Sequence, residues 1–298
     1  MKPPNWQIKL ILLVGILAVS TVAIFTRLAF NAANQHDVGL SLVLASSRVT
    51  LAALMLLPKW HKVYSEQTNT KALRYAVLAG IFLALHFASW STSLAYTSIA
   101  PATTLVTTTS IWVILFSWIW LKECPTLFTA IGAVVAVLGG ALVGIGDIGA
   151  SNGGSSPILG NFLALVGAWT NSLYYLFGRE AQRQGISISF YAVIVYITAA
   201  LILVPTPFAF GATYIGYPQE VYIYMLLIAL VPQLVGHTSL NWAMRWVSPT
   251  LVTLTILFVP VIASLLGYII FGEMPKTLII IGGVVIFSGM VIAANGSK

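Results

Sequence analysis

The chain has 298 residues, of which 59% are hydrophobic and only 7% charged. A soluble domain carries roughly 25% charged residues, so this surface cannot be covered against water and lipid must be the solvent for most of it. The formal net charge of +7 is scattered between apolar runs and forms no patch for nucleic acid. One cysteine, Cys124, excludes an internal disulfide, and no Cys/His cluster calls for a metal or cofactor.

A helix needs about 20 apolar residues to cross the hydrocarbon core. Ten such segments are predicted in chain order, over roughly 8–30, 39–58, 72–96, 101–121, 126–147, 158–179, 187–210, 219–244, 249–271 and 276–295. The run after Lys2 and Lys9 has the outline of a signal peptide but no small-x-small cleavage site, so it reads as a retained first helix. Pro101, Pro125, Pro249 and Pro275 stand at predicted helix starts, where a missing N–H costs little. The Gly/Ser-rich stretch 149–157 is the clearest linker and falls at mid-chain. It divides the protein into two five-helix domains, 1–148 and 158–298.

The second half repeats the first. Glu123, Pro125, Ile131, Gly132, Val134, Val135, Gly139 and Gly146 recur 150 residues later as Glu273, Pro275, Ile281, Gly282, Val284, Val285, Gly289 and Gly296. A weaker match at an offset of 152 pairs Gly15, Ser20, Phe25 and Arg27 with Gly167, Ser172, Phe177 and Arg179. Five is odd, so the second half starts on the opposite face of the membrane and the repeat must be inverted. Loop charge orients it. With the N-terminus in the cytoplasm, Lys2, Lys9, Lys59, Lys62, Lys71, Arg74, Lys122, Arg179, Arg183, Arg245 and Lys298 all fall inside. Only Arg27 and Lys276 fall at outer ends, so both termini are expected inside. Repeated halves of this kind build many secondary transporters, because they can rock about a site between them.

Ten helices in inverted halves, with Glu123-Cys-Pro125 and Glu273-Met-Pro275 between the fourth and fifth helix of each, resemble the drug/metabolite transporter superfamily. Pro101 and Pro249, and the pairs Gly132/Gly282 and Gly139/Gly289, narrow the resemblance to its EamA-type carriers across essentially the whole chain. The segment Leu85-His-Phe-Ala-Ser-Trp90 and the many aromatics are similar to the YddG-type amino-acid exporters within that family. The resemblance implies an all-α integral membrane protein of the bacterial inner membrane. It also implies a central cavity lined mainly by helices 1, 3, 4, 6, 8 and 9. Helices 5 and 10 would lie at the periphery, available to a homodimer, with a monomer as the alternative.

Polar groups that persist inside hydrocarbon are expensive and mark candidate sites. On helix 3, His86, Ser89, Trp90, Ser93 and Thr97 share one face. Helix 8 carries Gln233, His237 and Asn241 just after Pro232, and helix 6 carries Asn171, Tyr174 and Gly178 with Trp169 and Tyr175 beside them. For each of these the plain alternative is a hydrogen bond between helices. Trp112 and Trp169 lie near mid-depth, away from the interfacial belt where Trp collects; they either line an aromatic cavity or pack against lipid. Arg48 is the one full charge at the centre of a span, a placement costing about 2.5–3.5 kcal/mol on the milder insertion scales. It takes a substrate carboxylate or pairs internally with carbonyls and helix C-termini. Pro260, midway along helix 9, predicts a kink that frees carbonyls or serves as a gating hinge, and its repeat counterpart is Ser110. The hydroxyl run Thr103, Thr104, Thr107, Thr108, Thr109, Ser110 on helix 4 is expected to bond back to its own helix.

All seven acidic residues lie at predicted helix ends or in loops. A carrier of polycationic drugs would want a membrane carboxylate, and a carrier of sugar phosphates several buried bases. The expected solute is therefore a neutral or zwitterionic small molecule, amino acids first and aromatic ones among them. Proton coupling would fall to His86 or His237, and uncoupled movement is equally allowed. A multidrug or other metabolite exporter of the same family is the alternative, followed by a membrane receptor or scaffold. An enzyme is not expected. Gly144-Ile-Gly-Asp147 matches the Gly-x-Gly-Asp of intramembrane aspartyl proteases, but no span offers the second aspartate that chemistry needs.

Overall fold

The computed structural model describes residues 3–56, 69–122, 126–147, 155–247 and 252–295, the last without 253, 254, 257 and 273. Glu123, Cys124, Pro125, Pro249, Glu273 and most of the linker lie outside the described residues. The described residues form ten helices: α1 (Asn5–Ala33), α2 (Val38–Met55), α3 (Thr70–Tyr96), α4 (Ile99–Trp120), α5 (Leu127–Asp147), α6 (Pro157–Arg183), α7 (Ile188–Leu203), α8 (Gln219–Ala243), α9 (Phe258–Phe271) and α10 (Thr277–Asn295). No strand occurs among the described residues. Among the described residues six helices are long and apolar enough to cross a membrane: α1, α2, α3, α4, α8 and the stretch Ile188–Phe210 that begins with α7. Shorter apolar stretches fall in α5, α9 and α10. Helix α6 has the length, 27 residues, and its Asn161, Asn171, Ser172 and paired tyrosines keep it out of the six.

Among the described residues three helices are interrupted near their midpoints, and a turn stands just before a fourth. Helix α1 breaks at Thr21, whose hydroxyl donates to the Ala18 carbonyl at 2.8 Å. Helix α4 breaks at Thr107–Thr108, where the hydroxyls of Thr107, Thr108 and Thr109 donate to the carbonyls of Thr104, Leu105 and Val106 at 2.8, 2.7 and 2.7 Å. Hydroxyls that feed carbonyls three residues back compete with the helical ladder. Helix α8 widens into a π-helix over Ala229–His237, with Pro232 inside it. Ahead of α9, Ile256 sits in a turn, and Val259 N–H bonds to its carbonyl at 2.9 Å. Pro260 is therefore not at a helix midpoint: it is the third residue of α9, where the first-turn N–H groups have no partner to lose. The interruption falls four residues earlier. The corresponding break in α4 contains no proline, so proline is not what makes the pair.

The main pairings between the halves are α5 on α10, α3 on α6, α1 on α8, α4 on α6, α3 on α7, α2 on α7, α2 on α8, α1 on α9 and α4 on α9. Exchanging the two halves maps this set onto itself. The seam between α5 and α10 is made by the glycines of the sequence repeat. A β-carbon on Gly139 would lie 2.7 Å from the Gly282 carbonyl oxygen, and one on Gly289 2.6 Å from that of Gly132. Rising numbers on one helix meet falling numbers on the other, so the two run antiparallel. Bare glycine at these positions lets the backbones touch, which is how helices hold together where lipid removes the hydrophobic drive. Both helices lie at the edge of the bundle, meeting the rest mainly through α4 and α6.

Candidate functional site

The interrupted helices surround a central cavity of about 50 Å³. Its wall is built from Ser20, Val22 and Ala23 at the α1 break, Arg48 of α2, His86 and Trp90 of α3, Thr103 and Thr107 of α4, Asn171 and Tyr175 of α6, His237 of α8, and Ile256 and Val259. These are the helices the resemblance implied, with α2 added. Six of the eleven candidate binding residues line it: Arg48, His86, Trp90, Asn171, Tyr175 and His237. A larger recess of about 460 Å³ lies between α4, α9 and α10, but among the described residues Thr104, Thr107 and Ser264 are its only polar side chains, and Pro260 lines it together with the exposed Phe258 and Val261.

Arg48 is 2% exposed. Its Nε donates to Gln233 Oε1 at 2.9 Å, and its guanidinium carbon lies 3.8 Å from the centre of the Phe87 ring. The internal partner is thus a side-chain amide and an aromatic face, with no carbonyl bonded to it among the described residues. The one ion pair among those residues is Arg183–Glu180, at the far end of α6. His86 places Nδ1 2.9 Å from the Gly167 carbonyl. A carbonyl only accepts, so Nδ1 carries the hydrogen of this bond, which leaves Nε2 facing away from it. The His237 ring stands edge-on to Phe87, centroids 5.3 Å apart. Phe87 therefore joins Arg48 to His237, and apolar as it is, the polar stripe beside it gives no sign of that role.

Five buried polar atoms in and around this cavity have no partner: Arg48 Nη2, Gln233 Nε2, His237 Nδ1, Asn171 Oδ1 and Trp90 Nε1. Buried polar groups are nearly always paired; four of these atoms belong to residues of the cavity wall, Arg48, Trp90, Asn171 and His237, where they can bond a polar solute. Other candidates satisfy one another. The Tyr174 hydroxyl donates to Asn241 Oδ1 at 2.8 Å, joining α6 to α8, and the Ser89 and Ser93 hydroxyls bond back to Leu85 and Trp90 carbonyls at 2.8 and 2.6 Å. Gln233, Tyr174 and Asn241 lie behind the wall. Trp112 and Trp169 are not brought to the cavity. They meet edge-to-face at 5.2 Å in the seam between α4 and α6, and Trp169 contacts the exposed Phe162.

At the predicted outer end, Arg27 Nη2 donates to the Thr97 carbonyl at 3.1 Å, and Thr97 Oγ1 donates to Asn161 Oδ1 at 3.3 Å. Thr97 caps the C-terminus of α3, where a cation complements the helix dipole. The network ties α1, α3 and α6 together above the cavity. His36, in the loop that follows α1, is held below its ordinary pKa by partial burial and, secondarily, by Arg27.

Comparison with known proteins places this architecture. The model of the EamA-like transporter family matches twice, over residues 6–145 and 158–295. An uncharacterized transporter of Clostridium kluyveri is 25% identical over 258 residues, 83% of this chain and 81% of its own. The uncharacterized transporter YdfC of Bacillus subtilis is 26% identical over 196 residues, 65% of this chain and 61% of its own. A solved structure with 19% identity superposes at a TM-score of 0.65 over 98% of both chains, a likeness of fold. The chain is a multi-pass membrane protein and belongs to the EamA-like transporter family.

Proposed function

We propose that the protein is an inner-membrane carrier that exports small neutral or zwitterionic metabolites, amino acids first, by alternating access of two inverted halves, 1–148 and 158–298. The observation that carries this is the set of unpartnered polar atoms on Arg48, Trp90, Asn171 and His237 around one central cavity, with Gln233 Nε2 behind Arg48. Broken helices beside it supply backbone groups and hinges, as in other carriers whose sites lie between repeats. The antiparallel α5–α10 seam and the doubled family match support the inverted relation. The similarity of 85–90 to aromatic amino-acid exporters, and the aromatic surroundings of Arg48, favour an aromatic solute.

A cavity of about 50 Å³ is far below the roughly 300–1,000 Å³ of a ligand pocket, so the halves must part to admit a solute. The Arg27–Thr97–Asn161 network is the part that holds the outer mouth shut. In a Cys124→Ser background, Ser20→Cys should react slowly with an impermeant maleimide added outside. Adding Arg27→Gln should speed that reaction about 5-fold, the equivalent of about 1 kcal/mol at a helix terminus. An unchanged rate would remove the network from the gate.

Transport is tested by counterflow in proteoliposomes with a panel of labelled amino acids, with and without a pH gradient. At least one amino acid should exchange, and His86→Ala should cut exchange tenfold or more at unchanged expression. A folded protein that moves none of the panel would overturn the amino-acid reading. Binding detected by thermal shift, with no flux, would favour a receptor.

A further inference from the structure

The polar atoms left without partners differ in kind, and the difference bears on which solutes the cavity accepts. Arg48 Nη2 and Gln233 Nε2 have only hydrogens to offer. The Gln233 amide cannot turn round to change this, because its Oε1 is held by Arg48 Nε at 2.9 Å and the reversed amide would set NH₂ against N–H. Phe87 covers one face of the guanidinium, which leaves its edge as the bonding surface. Both side chains are buried, Arg48 at 2% and Gln233 at 0% exposed. A buried charge without a counter-ion is strongly unfavourable, and a planar edge carrying N–H groups matches a carboxylate in shape as well as in sign.

Nothing comparable awaits a cation. Among the described residues no acidic side chain lines the cavity, and the acceptors left there are uncharged: Asn171 Oδ1 and, on neutral rings, one nitrogen each of His86 and His237. A solute's carboxylate would therefore meet a full opposite charge, whereas an ammonium would exchange water for uncharged acceptors alone.

We propose that Arg48 is the carboxylate-binding residue of this cavity, oriented by Gln233, and that the ammonium group is dispensable. Resting on the reading of the cavity as the transport site, this makes monocarboxylates with uncharged bodies substrates at least as good as the parent amino acids. The class comprises the 2-oxo, 2-hydroxy and N-acylated forms of the amino acids.

The test compares four compounds built on one aromatic side chain, in counterflow and in thermal shift on the wild-type protein: the amino acid, its 2-oxo acid, its N-acetyl derivative and its decarboxylated amine. The two ammonium-free acids should exchange at least as fast as the amino acid, and the amine at a tenth of the rate or less. Gln233→Glu keeps the acceptor for Arg48 Nε but adds an internal carboxylate, and should raise the half-saturation concentration of every acid tenfold or more while the protein stays folded. Arg48→Gln should do the same, and the wild-type panel decides the question even where that variant fails to fold. Exchange of the amine at the rate of the acids, failure of the ammonium-free acids beside an active amino acid, or unchanged affinity in Gln233→Glu would each overturn the assignment while leaving the cavity as the transport site. A folded wild type that exchanges none of the four would overturn both.

Discussion

Gly139→Leu should lower the melting temperature of the detergent-solubilised protein by about 5–10 °C, while Gly283→Ala, next to Gly282 on the facing helix, should leave it unchanged. A β-carbon at Gly139 would lie 2.6 Å from the Ile286 backbone nitrogen and 2.7 Å from the Gly282 carbonyl oxygen. Neither atom can rotate aside, so α5 and α10 would have to separate. A β-carbon at Gly283 has nothing within 4 Å. Overpacking costs about 1–3 kcal/mol, and in a chain of this size 1 kcal/mol moves the midpoint by about 2–4 °C. The loss would fall near the upper end, because parting the helices also weakens the matching Gly132–Gly289 contact and the Thr129 hydroxyl bond to the Ala293 carbonyl at 3.3 Å. The folded fraction should still transport, since neither helix lines the central cavity. Equal destabilisation by Gly283→Ala would mean that the seam is not where these helices are held.

The run lengths and the glycine repeat make the ten helices legible in the sequence, and the glycines even mark the α5–α10 contact, because only close backbone approach requires residues without a β-carbon. The interruptions are harder to read. Apolar periodicity continues across Thr21 and Thr107–Thr108, and neither break carries a proline; the threonines that make them read equally well as hydroxyls bonding within an unbroken helix. A proline is visible at 260, yet the break lies at Ile256. The candidate site was legible as residues but not as partnerships. Helical spacing puts His86, Ser89, Trp90, Ser93 and Thr97 on one face, but two of the five bond back to their own helix and Thr97 ends the helix, its carbonyl taken by Arg27. Arg48 and Gln233 both stand out as buried polar groups, though they are 185 residues apart, and no local pattern reports that they meet. Mid-depth position marks Trp112 and Trp169 without showing which way the helix turns them.

Pro232→Ala should abolish most transport while changing the melting temperature by less than about 3 °C. Proline inside a helix lacks the N–H that would bond four residues back, and its ring presses on that carbonyl. The wide π turn over Ala229–His237 relieves both, and it carries Gln233 to Arg48 and His237 to Phe87. Alanine restores the donor and favours an ordinary α turn, and absorbing the extra residue of the π turn rotates the groups it carries by about 100°. Gln233 would leave Arg48 Nε, and His237 would leave the aromatic cluster. The helix regains up to about 3 kcal/mol, but stranding a buried guanidinium costs about 1.5–3 kcal/mol, so the two nearly cancel. Replacing the guanidinium as well separates them: Arg48→Met with Pro232→Ala should melt several degrees above Arg48→Met alone, because the gain in the helix is then unopposed. The packing on α1 resists the change, since a β-carbon on Gly236 would come within 2.6 Å of Val19 Cγ2. If Pro232→Ala transports at the wild-type rate, that contact and not the proline holds the π turn open, and the placement of Gln233 and His237 belongs to the α1–α8 interface.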